Sequence, residues 1–220
     1  MDPLSFLLWR FWVFFRDPAR VVPSGQVVVA PADGRVLYLT EVPKDALPHA
    51  VKHGAAIPVP VASAVRPAQL PGLLIGIYMF PWSVHVNRAP VAGTVVRVEP
   101  RVAAPENRSM VRALMHLAWQ MPVADDVRAA VAGNARNTVV IDGDMPVAVV
   151  QIADRYVRTI DCYVREGDSI ERGQRIGMIR MGSQCDVFLR RVSTLEVLCR
   201  PGDRVRAGET VLARYGPQSK

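Results

Sequence analysis

Ser183, His85 and Asp33 are the residue types from which proteins assemble an activated hydroxyl: a nucleophile, a base for its proton and a carboxylate to orient the base. Ser183 follows Gly182 in Arg180-Met-Gly-Ser-Gln-Cys185. His85 lies in Phe80-Pro-Trp-Ser-Val-His-Val-Asn-Arg-Ala-Pro90, and Asp33 in Pro31-Ala-Asp-Gly34, a turn leading into a strand. Each has a plainer reading. Gly-Ser is a common turn dipeptide, and any of His49, His53, His85 and His116 can be structural. The three residues stand far apart in the chain, so only the fold can gather them.

The elements available for that are strands. After Pro23, short β-branched runs at 26–30, 34–39, 73–79, 94–98, 138–141, 147–152 and 175–179 are bounded by Gly, Pro and Asp, the pattern of a mainly antiparallel β protein. Residues 107–132 depart from it: Met110, Leu114, Leu117 and Ala118 fall at helical spacing, with Pro122 as a break. Residues 42–70 are proline-rich and read as a loop excursion. The expected fold is mainly β (α+β), with an N-terminal amphipathic helix and one helical insertion.

Two internal echoes sharpen this. Pro31-Ala-Asp-Gly-Arg-Val36 is matched by Pro90-Val-Ala-Gly-Thr-Val95. Glu166-Gly-Asp-Ser-Ile-Glu-Arg-Gly-Gln-Arg-Ile176 is matched by Pro201-Gly-Asp-Arg-Val-Arg-Ala-Gly-Glu-Thr-Val211. Each Gly-Asp marks a tight turn between strands. Paired units of this kind resemble the barrel-sandwich of biotin and lipoyl carrier domains. A carrier needs an attachment lysine, and none lies between Lys52 and Lys220; the carrier function fails on chemistry while the carrier fold stands.

At 220 residues and 50% hydrophobic composition, the chain can bury one sizeable core. We expect a helix over 1–22 and a single domain over 23–220. A formal charge of +7 and a pI near 9.8 call for an anionic partner. Leu4, Leu7, Leu8, Phe11, Trp12, Phe14 and Phe15 give the N-terminus an apolar, aromatic face followed by Arg16 and Arg20. The run is short of the roughly 20 residues needed to span a bilayer, and suits the membrane interface; packing on the domain's own core is the alternative. Nucleic acid ranks last, because the aromatics cluster in this apolar stretch rather than among basic strands. Cys162, Cys185 and Cys199 form no disulfide or zinc pattern, and no metal-ligand spacing is present.

Several separate motifs, in order, are similar to the short prokaryotic form of phosphatidylserine decarboxylase, a self-cleaving proenzyme. They are Phe14-Phe-Arg-Asp-Pro-Ala-Arg20, Pro31-Ala-Asp-Gly34, Val84-His-Val-Asn-Arg-Ala-Pro-Val-Ala-Gly93, Asn134-Ala-Arg-Asn-Thr-Val-Val140, Gln151-Ile-Ala153, Gly177-Met-Ile-Arg-Met-Gly-Ser183 and Asp186-Val187. The resemblance implies that Ser183 attacks the Gly182 carbonyl, with His85 as base and Asp33 orienting it. An ester forms, the chain splits into a β chain 1–182 and an α chain 183–220, and Ser183 becomes a pyruvoyl group. That cofactor would form a Schiff base with phosphatidylserine and serve as electron sink for loss of CO₂, giving phosphatidylethanolamine. His85 would be the proton donor. The basic charge and the aromatic N-terminus then point to a peripheral enzyme on the cytoplasmic face of the cell membrane. Strands on both sides of Gly182 should share one sheet and keep the two fragments associated, with a homo-oligomer left open.

The sequence also departs from that family. Where larger members carry a second histidine this chain has Arg88, the candidate for electrostatic support. Gln184 and Cys185 stand where short members usually have Arg and Val. An ether-linked serine phospholipid would undergo the same head-group chemistry. A cleavage-dead or carrier-like β module that binds lipid or a partner is the non-enzymatic alternative.

Overall fold

The computed structural model describes residues 15–42, 49–52, 55–58, 71–103, 134–155, 160–180 and 183–216. They form strands β1 (Val27–Val29), β2 (Gly34–Val42), β3 (His49–Lys52), β4 (Ala55–Pro58), β5 (Gly72–Met79), β6 (Val86–Arg88), β7 (Gly93–Arg101), β8 (Arg136–Asp142) and β9 (Val147–Ala153). The later strands are β10 (Ile160–Cys162), β11 (Ser169–Ile170), β12 (Arg175–Ile179), β13 (Ser183–Arg190), β14 (Glu196–Val197), β15 (Arg204–Val205) and β16 (Val211–Arg214). Eight of them form one antiparallel sheet in the order β11-β7-β8-β9-β13-β5-β2-β15, beside three-stranded sheets β1-β16-β14 and β10-β12-β6.

The two sequence echoes become two copies of one framework. Val29 N donates to Pro90 O at 3.0 Å and Arg88 N to Pro31 O at 2.9 Å, a reciprocal pair that ties the copies together. In one copy Gly202 N reaches Val36 O; in the other Gly167 N reaches Val95 O, both at 2.8 Å. Gly167 and Gly202 hold φ of 93° and 95°, which a side chain disfavours. The following aspartates close the turns: Asp168 accepts from Arg165 N at 2.8 Å and Asp203 from Arg200 N at 2.9 Å. Bulges fall at matching places too, after Val36 in β2 and after Val95 in β7. The expected mainly antiparallel β fold with paired turn units is therefore present.

The central strands β9 and β13 are covered on both faces, so their sequences run apolar rather than alternating. Cys185, Val187 and Leu189 point into a continuous core with Ile75, Ile77, Val149 and Ile176. Full burial of such side chains contributes about 1.5–3 kcal/mol each.

Three features differ from expectation. No helix occurs among the described residues: the helix expected over 1–22 does not include 16–22, where Pro18 intervenes and ion pairs hold the chain extended, while residues 1–14 and the helix expected over 107–132 lie outside those described. The excursion at 42–70 contains the antiparallel hairpin β3–β4. The stretch after Gly182 is not merely a turn between repeats but the start of β13, one of the two middle strands of the main sheet.

Candidate active site

Ser183 is the first residue of β13, with Met79 as its register partner on β5 and Ala153 on β9. Its side chain is fully buried. The hydroxyl has two acceptors at equal distance, His85 Nδ1 and Met79 Sδ, each 3.3 Å from Oγ. Gly182 lies outside the described residues.

His85 reaches this position from the turn after β5. Ser83 N bonds back to Phe80 O at 2.9 Å and the chain then enters β6, which pairs with β12. The imidazole is fully buried, and Nε2 lies 3.1 Å from the backbone oxygen of Phe80. A carbonyl only accepts, so Nε2 carries the hydrogen and Nδ1 turns its lone pair to Ser183. Burial pushes the His85 pKa down to about 4, against the backbone hydrogen bonds to Phe80, Ile179 and Pro81 that favour the charged form. The ring is thus neutral at physiological pH, the state in which it can accept a proton.

A buried polar chain steadies the far side of β6. Asn137 on β8 donates to Gln151 Oε1 at 3.0 Å, and Gln151 on β9 donates to Asn87 Oδ1 at 2.9 Å. Asn87 Nδ2 in turn lies 3.7 Å from Met79 Sδ, the sulfur beside Ser183. Gly177 leaves room for it, since a Cβ there would come within 2.7 Å of the Gln151 amide nitrogen. Gln184 is accounted for as well: it donates to Asp186 Oδ1 at 2.7 Å and to Tyr38 Oη at 3.0 Å, while Tyr38 donates to Asp186 Oδ2 at 2.7 Å. Burial and the Asp186 charge push the Cys185 thiol well up, leaving it an inert core residue.

The structure brings Ser183 and His85 together and gives Asp33 and Arg88 other contacts. The Asp33 carboxylate accepts from Arg20 Nη2 at 2.9 and 3.0 Å and from Ala207 N at 2.8 Å. The orienting contact expected of it on His85 is made by the Phe80 carbonyl instead. Arg88 follows Asn87 by one residue, so strand alternation turns it to the opposite face of β6 from the polar chain. Its guanidinium donates to Asp17 at 2.5 Å and to Gly173 O at 2.9 Å, and Asp17 also pairs with Arg175. Arg88 therefore fastens the N-terminal segment to the domain.

Asp33 lines a cavity of about 690 Å³ on the outer side of the Phe80 turn, shared with Arg16, Arg35, Trp82, Arg204 and Arg206. Sequence reasoning missed the Phe80 carbonyl, Met79, Gln151 and the Tyr38–Asp186 pair. Gln151 did leave a signal, as a lone polar residue inside an apolar run, and Asp186 left one as a charge in a run that Gln184 also interrupts. The Phe80 carbonyl left none, because any residue type supplies one.

Residues 7–213 match the family model for phosphatidylserine decarboxylase. A putative archaetidylserine decarboxylase proenzyme of Methanothermobacter thermautotrophicus is 38% identical over 94% of this chain and 81% of its own length. A phosphatidylserine decarboxylase proenzyme of Symbiobacterium thermophilum is 38% identical over 95% of this chain and 79% of its own. One from Pelobacter propionicus is 35% identical over 92% of this chain and 76% of its own. With a buried serine facing a neutral histidine at the head of a central strand, and with likeness along nearly its whole length, this chain belongs to the phosphatidylserine decarboxylase family.

Proposed function

We propose that this protein is a proenzyme that cuts itself between Gly182 and Ser183 and then decarboxylates phosphatidylserine to phosphatidylethanolamine. The observation that carries the reading is the 3.3 Å approach of Ser183 Oγ to His85 Nδ1, with Nε2 occupied by the Phe80 carbonyl.

His85 takes the hydroxyl proton as Oγ bonds to the Gly182 carbonyl carbon, and returns it to the departing amide nitrogen of Ser183. The peptide bond is thereby exchanged for an ester. Loss of the Ser183 α-proton expels Gly182 as a carboxylate, leaving a dehydroalanine whose hydrolysis releases ammonia. A pyruvoyl group at position 183 supplies an electron sink for the electrons left by CO₂, which no side chain offers. The surroundings suit such a group: the position is buried, starts a strand paired on both sides, and faces a neutral ring. His85, readily giving up any proton it acquires, is our donor to the carbon that loses the carboxylate. Asp33 and Arg88 act in this reading as supports, through Arg20 and Asp17.

Both fragments would stay together after the cut. The 183–220 piece contributes β13 between β5 and β9, β15 against β2, and β16 against β1. We further propose peripheral attachment to the cytoplasmic face of the membrane through the aromatic N-terminus. Intact mass of the purified protein beside Ser183→Ala tests the cut. Fragments 1–182 and a pyruvoyl-blocked 183–220, with the variant whole, are expected; one full-length mass in both samples overturns the proposal and favours a lipid-binding β module.

A further inference from the structure

The cavity beyond Phe80 is more basic than the fold requires. Arg35 and Arg204 are direct register partners on β2 and β15, a placement of like charges that weakens a sheet. Among the described residues neither has a carboxylate partner. Arg16 and Arg206 line the same space. Its acidic residue, Asp33, is already answered by Arg20 and the Ala207 amide.

The second copy of the framework fills the same positions with other residues. Thr94 and Ser169 are the register partners there, in place of Arg35 and Arg204, and Glu171 stands in place of Arg206. Three matching positions are neutral or acidic in one copy and basic in the other, so the turn architecture does not demand the arginines.

The rim has a different chemistry. Phe80 and Trp82 stack with centroids 5.2 Å apart, and Trp82 is 60% exposed. Arg16 donates to Trp82 O at 2.5 Å, and the residues before Arg16 are the apolar aromatic run that ends in Phe14-Phe15. Guanidinium groups that share a cavity with an exposed indole supply the two chemistries of a bilayer surface, a phosphate ligand and a ring suited to the headgroup–acyl boundary.

We propose that this cavity binds the phosphodiester headgroup of an anionic phospholipid in a membrane, with Arg35 and Arg204 as phosphate ligands and Trp82 seated at headgroup depth. The proposal names the lipid contact of the membrane attachment proposed above and rests on that reading. Register places Arg35 two strands from Gln184, across Tyr78, or about 10 Å from the strand that Ser183 begins. A headgroup held here docks the domain with its reactive end near the lipid.

The test is co-sedimentation of the purified full chain with phosphatidylcholine vesicles, with and without phosphatidylglycerol, which is anionic but carries no serine. Arg35→Gln/Arg204→Gln is expected to lose roughly thirtyfold in partitioning onto the phosphatidylglycerol vesicles. The exposed pair Arg165→Gln/Arg190→Gln, equal in net charge but outside the cavity lining, is expected to lose only a few-fold, because the surface attraction falls off within a Debye length. Equal losses from both pairs would mean that net charge alone is read, and would overturn the site. Inorganic phosphate, competing for the same arginines, should release more of the unsubstituted protein than chloride does at matched ionic strength; equal release by the two salts would overturn phosphate recognition. Phosphate competition without any pair-specific loss on the vesicles would assign the cavity to soluble phosphate and overturn the lipid. Trp82→Ala should weaken binding to both kinds of vesicle. Thermal melting checks that the variants fold, and intact mass of the same samples reads the cut separately, so failure of the cavity and failure of the self-cleavage reading cannot be confused.

Discussion

The two copies of the framework share their turns, bulges and reciprocal backbone bonds, yet they carry different chemistry. In the copy built on β6, β7, β11 and β12, the residue that leads into the first strand is His85, buried against Ser183. The equivalent position in the copy built on β1, β2, β15 and β16 is Gln26, exposed to solvent. At the positions that line the cavity, Arg35, Arg204 and Arg206 correspond to Thr94, Ser169 and Glu171 of the twin, which carries its own arginines elsewhere, Arg88, Arg172 and Arg175 in place of Val29, Ala207 and Thr210. Backbone hydrogen bonds fix the frame and tolerate this divergence, because they use main-chain groups that every residue has. Reaction and lipid contact could therefore be placed on opposite copies without disturbing the sheet between them.

Exchanging the copies' distinctive residues breaks that comparison most sharply at His85. His85→Ala should slow the cut about 10²–10⁴-fold, followed by intact mass over time, whereas Gln26→Ala should leave it within about twofold. If both behave alike, the histidine is structural.

The pH dependence of the cut comes next. With the His85 pKa near 4, its lone pair stays available as pH falls from 7 to 5, and the rate should drop only as pH approaches 4. Stability should weaken earlier. The unfolded histidine takes up its proton near 6.5 and the folded one near 4, so stability present above pH 6.5 is lost as pH falls through that window, by about 3 kcal/mol. Denaturant midpoints between pH 7 and 4 would check it. A cleavage rate that halves near pH 6.5 would show that His85 is not held as described.

Asp33→Asn separates a support from a catalytic partner. Because the Phe80 carbonyl already fixes the imidazole tautomer, the substitution should lower stability by about 1–3 kcal/mol through the buried Arg20 guanidinium and change the cut only a few-fold. A loss near 10⁴ would restore Asp33 to the orienting role. The smallest effect is expected from copying the twin: Arg35→Thr/Arg204→Ser relieves facing like charges and should raise stability by about 0.2–1 kcal/mol, seen as a slightly higher Tm.

Much of this molecule can be read along its length. Runs such as 73–79 and 147–152 are strands because β-branched residues crowd between turn formers, and they stand as β5 and β9 with ends shifted by a residue. The Gly-Asp repeats foretold the paired turns, since positive φ at Gly167 and Gly202 and the aspartate caps are local properties. Strand β13 escaped notice because Gln184 and Asp186 interrupt its apolar pattern, and they are tolerated only because Tyr38 arrives from β2 to complete their hydrogen bonds.

Ser183 and His85 were identifiable as residue types; their approach was not, because it depends on β5 and β12 flanking the same spot. Asp33 shows the converse. Its type and the family resemblance suggested a triad, while the long-range partner that claims it, Arg20, is chosen by where the N-terminal segment lies across the domain. Local backbone preference and burial pattern are written residue by residue, so the sequence alone settled strands such as β5 and β9, the paired turns and the candidate nucleophile. Which base meets that nucleophile, which acceptor holds the base and which arginines share a cavity are decided by contacts between distant strands, and only the tertiary structure supplies those.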